Sequence, residues 1–299
     1  MSNQNKYYRQ VQLLVRMLPA IAEEPCFALK GGTAINLFLH DLPRLSVDID
    51  LTYVPVQPRV QSLQSITAAL ARIAATLSKT IPDAKQESSS SGKLVYRLGH
   101  ALVKIEVNEV LRGVVHPVQT LTVSERTENE FGYAEMQVVS IHDLYAGKIC
   151  AALDRQHPRD LFDIWNFLEK NSFTNELLET FLIYLISHNR PIVEVLFPNI
   201  RDIAGEYQNE FLSMTEHSLP LKNLEKVRER LLSQVQTGLT DKHKDFLISF
   251  KSGEPQWSLL SLEGVEHLPA VQWKMHNLKQ MTQSGHAKAL DKLVKKLRQ

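Results

Sequence analysis

The sequence is sparing with thiols, long apolar runs and charge of one sign, and each scarcity removes a class of function. It holds two cysteines in 299 residues. Cys26 and Cys150 each stand alone in apolar company, without a CxxC pair or Cys/His ligand spacing. That excludes a disulfide framework and a zinc–thiolate centre, and it predicts reduced thiols in the cytoplasm. No apolar run reaches the length of a membrane span, and the polar first stretch is interrupted by Arg9 and Arg16, so no membrane partner is expected. GxGxxG is missing, and His142, His157 and His188 are isolated rather than metal-spaced. The formal net charge is only +1. A blanket attraction to nucleic acid is therefore excluded, and any RNA contact must rest on local patches.

What remains is a globular composition, 43% hydrophobic and 22% charged, long enough for one large or two medium domains. The chemistry concentrates between Phe27 and Leu51. Cys26–Leu29 predicts a short buried strand, Gly31-Gly32 a tight turn, and Thr33–Leu39 a helix. Backbone N–H groups at a helix start lack intrahelical acceptors and attract anions. Glycines let a phosphate approach, and the Thr33 hydroxyl adds a donor. Downstream, Val47-Asp-Ile-Asp-Leu51 alternates as a strand, so Asp48 and Asp50 share one face while Val47, Ile49 and Leu51 enter a core. Two like charges this close favour a cation between them, and oxygen ligands of this kind suit Mg²⁺ held jointly with a substrate phosphate. A GG turn or a DxD alone has a bland structural explanation; their order, with one helix and a loop between, points to a phosphate cradle beside metal ligands.

A GG[ST] turn, a helix and a DxD strand resemble the nucleotidyltransferase superfamily related to DNA polymerase beta. Arg44-x-Ser46-x-Asp48-Ile-Asp50-Leu narrows this to a resemblance to the AbiEii/AbiGii toxin family of type IV toxin–antitoxin and phage-defence systems. Further segments resemble that family: Ala146-Gly-Lys148, Arg155-x-x-x-Arg159-Asp160-x-x-Asp163, and a carboxy-terminal region from Asp245 to Leu278. The resemblance implies a third carboxylate on a neighbouring strand. Lys93–Leu98 and Ala101–Val107 read as a hairpin through Gly99-His100, and alternation puts Glu106 on the polar face, with Glu109 as an alternative. Glu106 could equally be a salt-bridge partner of Lys104. The resemblance also implies nucleotide contacts from Gly31, Gly32, Thr33, Arg44 and Ser46, a phosphate role for Lys148, an essential acid at Asp160, and Asp163 close behind. Spacing alone leaves alternatives open: Lys148 reads as a snorkelling lysine, Asp160 as an acid opposing a helix dipole behind Pro158, and Asp163 as the i,i+4 partner of Arg159.

Elsewhere Tyr7, Val11, Leu14 and Leu18 predict an amphipathic first helix ending before Pro19, and Arg59–Leu77 predicts a helix. Gln86–Gly92 reads as a polar loop, and Leu111–Gly132 as a strand with connecting loops. Met136–Val139 reads as a strand, and Ser140-x-x-Asp143 as the start of a helix through Leu153. From Asn166 onward the texture is helical. Trp257 and Trp273 read as core anchors, and His286–Arg298 as a basic amphipathic helix that packs or contacts RNA backbone.

The expected fold is α/β (α+β): a nucleotidyltransferase domain over residues 1–168 with a mixed sheet, then a helical domain over 169–299, substrate binding in the cleft between them. The expected function is transfer of a nucleotidyl group from an NTP to a nucleic-acid acceptor with two Mg²⁺ ions held by Asp48, Asp50 and Glu106. Resemblance makes tRNA the acceptor, toxicity the outcome and a separately encoded antitoxin protein the partner. A small-molecule nucleotidyltransferase, a phosphotransferase and a catalytically silent binding protein are the competing readings.

Overall fold

The computed structural model describes residues 6–216 and 219–299. Its contacts divide the chain into two compact units, residues 1–140 with 207–218, and residues 141–206 with 219–299. The expected boundary at 168/169 thus falls inside the second unit.

The first unit is built on a seven-stranded mixed sheet in the order β3-β4-β5-β2-β1-β7-β6. Its strands are β1 (Phe27–Lys30), β2 (Asp48–Tyr53), β3 (Lys85–Ser90), β4 (Lys93–Leu98), β5 (Ala101–Val107), β6 (Gln119–Thr122) and β7 (Glu135–Val138). At the centre, β2 runs antiparallel to β1 and parallel to β5. Alternation segregates the faces: Ile49, Leu51, Val103 and Ile105 are fully buried, whereas Asp48, Asp50, Lys104 and Glu106 are only half-buried. Helix α1 (Lys6–Ala22) packs on β5 and β7, and α3 (Arg59–Thr80) packs on α1 and β4. Between β1 and β2 the chain forms α2 (Gly31–Thr33), which runs on as a π-helical segment (Ala34–Leu39).

Three expectations for this unit need correction. Helix α1 passes through Pro19, which sits on the exposed side while Leu18, Ala20 and Ile21 stay buried, so packing outweighs the lost backbone hydrogen bond. The polar stretch from Lys85 to Ser90 is a strand, wholly exposed and paired to β4 with an irregularity between Gln86 and Ser88. Its pairing comes from the backbone ladder, which side-chain polarity does not report. The region before β7 contains α4 (Glu125–Phe131), started by Ser124, whose side chain accepts from Thr127 N.

The second unit is helical: α5 (Ile141–Arg155), α6 (Pro158–Leu168), α7 (Asn175–Ser187), α8 (Ile192–Leu196), α9 (Ala204–Glu206), α10 (Leu221–Gly238), α11 (Asp241–Ser252), α12 (Pro269–Lys279) and α13 (Gln283–Arg298). Helix α5 packs against α6 and α7, α10 against α6, α12 against α7, and α13 against α11. Trp257 anchors this unit as expected, its ring 5.4 Å from Phe246 and 6.3 Å from Phe250. Trp273 does not; it is 36% exposed on α12. Among the described residues no helix is long and apolar enough to cross a membrane.

Candidate active site

The alternation of β2 puts Asp48 and Asp50 on one sheet face. The parallel register with β5 sets Asp50 beside Glu106 and Asp48 beside Lys104. On the other side of β2, Asp50 is in register with Lys30 at the end of β1. Three carboxylates therefore line one face of two adjacent strands, interleaved with lysines. Glu106 pairs with Lys93 Nζ at 2.5 Å, both side chains being more than a third exposed, and not with Lys104 as the simple i,i+2 reading had it. Burial pushes the Lys30 ammonium below the ordinary lysine range, and the Asp50 carboxylate acts in the opposite direction. An ammonium in that position is an acidic-site partner that sequence reading left in the background; the signal was its place just ahead of the glycine pair.

The glycine turn is shaped by these same acids. Gly31 has φ +74°, and a Cβ built there would lie 2.5 Å from Asp50 Oδ2. At Gly32 a Cβ would lie 2.7 Å from Arg44 Nη2 and 2.8 Å from Ser46 Oγ. The two glycines are thus required by the RxSxDxD segment that follows them, because side chains of that segment fill the space where Cβ atoms would be. Thr33 completes the lock: its hydroxyl donates to the Asp48 carbonyl at 2.6 Å and lies 3.1 Å from Ser46 Oγ. The structure buries Thr33 fully and Arg44 nearly so, and Arg44 Nη1 donates to Leu45 O at 2.8 Å. Thr33 and Ser46 therefore tie the turn to β2, Arg44 fills the space beside Gly32, and the Asp48 and Asp50 carboxylates stay half-buried.

The later motif residues assemble separately, inside the second unit. Lys148 on α5 is 6% exposed, and its ammonium lies 2.9 Å from Asp160 and 2.9 Å from Asp163, both on α6. Arg155 grips Asp160 with two bonds, from Nε at 2.5 Å and Nη2 at 3.0 Å, while its own side chain stays 60% exposed. Lys148 is therefore not snorkelling, and it supplies Asp163 with a cation that spacing alone had sought at Arg159. Burial works against the Asp160 charge, but Lys148 and then Arg155 outweigh it and hold that carboxyl well below the usual range. Nearby, Asp143 at 1% exposure accepts from Tyr184 Oη at 3.0 Å, and burial raises the Tyr184 phenol well above its ordinary pKa. Helix α6 begins as its sequence implies, with Pro158 at the first turn and His157 Nδ1 accepting from Arg159 N at 3.1 Å.

A family model for the nucleotidyl transferase AbiEii toxin of type IV toxin–antitoxin systems matches residues 12–277. The chain belongs to the AbiEii family. Membership makes it a nucleotidyltransferase toxin, and it implies an NTP substrate and a cognate antitoxin. Among solved structures the AbiEii-family chain is similar to MenT4, a nucleotidyltransferase toxin from Mycobacterium tuberculosis H37Rv. The two share 13% identity with a TM-score of 0.62, covering 93% of this chain and 95% of that one, a likeness of fold. No curated protein matches.

Carboxylate oxygens are donors of the kind that hard, oxygen-seeking divalent cations take. Asp48, Asp50 and Glu106 offer carboxylate oxygens from one face, half-buried and so reachable, and the Lys93 pairing of Glu106 is an exposed one of small worth.

Proposed function

We propose that this toxin transfers a nucleotidyl group from an NTP to an RNA acceptor, with tRNA preferred, in a Mg²⁺-dependent reaction supported by Asp48, Asp50 and Glu106. The observation that carries the reading is the register that sets Asp50 beside Glu106, with Asp48 on the same face, next to a glycine turn whose side-chain space Asp50, Arg44 and Ser46 occupy. When bound there, a pair of Mg²⁺ ions would activate the acceptor hydroxyl and stabilise the leaving pyrophosphate. The chain's own part is positional and electrostatic. The backbone N–H groups of Gly31 and Gly32 receive the terminal phosphates, Thr33 and Ser46 keep that turn fixed against β2 with Arg44 packed beside Gly32, and Lys30 offers an ammonium in register with Asp50. A phosphate role for Lys148 rests on the family resemblance alone; within the second unit its ammonium is held by Asp160 and Asp163, and the exposed Arg155 is the cation of that group open to solvent.

Support for a nucleic-acid acceptor comes from the last two helices. Residues 269–299 carry seven Lys and Arg against the single acid Asp291, in a chain whose net charge is +1. Exposed Trp273 stacks on His276 with centroids 5.7 Å apart and planes 20° apart, a surface suited to an unpaired base. In the cell the activity would arrest growth until the antitoxin intervenes, and phage defence would follow from that arrest.

Incubating the protein with α-labelled NTPs, Mg²⁺ and total bacterial RNA, then sizing the products, tests the proposal. Label in RNA of tRNA size is expected and should vanish in EDTA. Label confined to small products would move the acceptor to a small molecule, and NDP release without labelled RNA would indicate phosphoryl transfer.

A further inference from the structure

Away from the carboxylate face, the loop after β5 holds a cation that nothing described so far employs. Arg112 is 4% exposed, yet neither its Nε nor its Nη1 meets an acceptor among the described residues. A guanidinium stays charged at every physiological pH, so burying one with two unused donors and no directly bonded acid is unfavourable unless a ligand completes it, even with the Glu109 carboxylate near enough to favour the charge. Arg59, the first residue of α3, adds to the imbalance. After burial, the charge of Arg59 is the next influence lowering the basicity of Arg112. The acid of this region does not form a direct bridge to Arg112: the Glu109 carboxylate accepts from Ser91 Oγ and lies against Gly92, and its backbone carbonyl accepts weakly from Arg59 Nη1 at 3.4 Å.

The loop carrying Arg112 is held in place. Asn108 Oδ1 accepts from Val110 N at 2.9 Å and Leu111 N at 2.8 Å, Arg112 N donates to Val110 O at 3.0 Å, and Gly113 N donates to Tyr53 O at 2.8 Å. Tyr53 ends β2, and its side chain lies on the strand face opposite Asp48 and Asp50. One guanidinium is thus buried with unused donors on a loop pinned by four hydrogen bonds, and Arg59, whose Nη1 donates to Glu109 O of that same loop, brings a second. A planar fork of N–H donors matches the oxygens of a tetrahedral oxyanion, and two cations suit a phosphate better than a single carboxylate.

We propose that Arg112 and Arg59 form a second phosphate-binding site, distinct from the glycine turn and the Asp48–Asp50–Glu106 face. The phosphate belongs either to a free nucleotide or to an RNA backbone. The site is independent of which acceptor the enzyme modifies and of the metal.

The test compares the full-length wild type with Arg112→Met and Arg59→Gln. Thermal unfolding is followed against inorganic phosphate, with chloride at matched ionic strength as the control. Phosphate should raise the wild-type Tm in a saturating way. Affinity should fall roughly 10-fold or more in Arg112→Met and Arg59→Gln, the loss expected of one charge-assisted contact. Should Arg112→Met fail to fold, Arg59→Gln carries the comparison, because Arg59 is only half-buried at the start of a helix. Metal-free titrations with ATP and with a short RNA oligonucleotide then separate the sources: a weaker ATP affinity in the variants assigns the site to a nucleotide, and a weaker oligonucleotide affinity alone assigns it to RNA. Affinities for phosphate, ATP and RNA that match the wild type in both arginine variants would overturn the site.

Discussion

Asp48 and Asp50 stand half-buried on a strand face, whereas Asp160 and Asp163 on α6 are 2% and 0% exposed. Each pair puts two negative charges close together, and each solves the repulsion differently. The helical pair is neutralised from within, by Lys148 between the two acids and Arg155 on Asp160. The strand pair stands half-buried with lysines in register on the neighbouring strands, and the third acid, Glu106, is in an exposed contact with Lys93. Carboxylates whose charge is compensated inside a core act as structure and hold cations in place. Carboxylates left reachable at a half-buried face can accept a cation from outside. Sequence motifs alone do not separate the two situations, since both read as conspicuous acids.

The comparison breaks most visibly at Lys148. Lys148→Ala should lower stability by about 3–5 kcal/mol, because it strands two buried carboxylates, and urea unfolding will report it. A variant whose midpoint matches the wild type would mean the acids are not held by Lys148. At the other pair, Asp50→Asn should cut NTP turnover by ~10²–10³ or more, the loss typical of one preorganised electrostatic group, while leaving the urea midpoint at or above that of the wild type. Reduced turnover that merely tracks reduced stability would erase the distinction between the regions.

Acid sharpens the contrast. Because the folded-state pKa of Asp160 is depressed, its contribution to stability is complete above the unfolded carboxylate value of about 3.9 and is lost as pH falls below that value toward the folded one. Asp160→Asn should therefore flatten the acid limb of the stability–pH profile; an unchanged limb would show that other groups dominate it.

The glycine turn offers a smaller, paired test. Gly31→Ala combines a left-handed backbone, about 1–2 kcal/mol, with a Cβ 2.5 Å from Asp50 Oδ2, so it should displace that carboxylate and lower turnover beyond its stability cost. Gly99→Ala has φ +57° and nothing within 4 Å, so strain alone should appear and turnover should hold. Equal activity losses in the two would separate the turn from Asp50. Smallest of all, Lys93→Met should change stability by less than about 1 kcal/mol, since its pairing with Glu106 is exposed. A loss several times larger would place Glu106 among the structurally held acids.

Much of the first unit was legible from residue order, for a local reason. Alternation decides which side of a strand a residue occupies, so Asp48, Asp50 and Glu106 could be placed on polar faces and Ile49, Leu51 and Ile105 in a core before any packing was known. The same local rules missed β3, whose wholly exposed residues pair through backbone alone, and α4. They also placed Trp273 in a core, because an indole's bulk does not reveal whether its helix turns it inward.

The sequence by itself determined the glycine turn, the acidic strand and the helix-rich remainder, because each follows from periodicity or from the conformational freedom of glycine within a few residues. Tertiary structure alone decided that Asp50 sits beside Glu106, that side chains of the RxSxDxD segment occupy the Cβ positions of Gly31 and Gly32, and that Lys148 closes a buried ion cluster with Asp160 and Asp163. Strand register and helix packing set these meetings, and both depend on how distant segments bury apolar surface together, which no local spacing encodes.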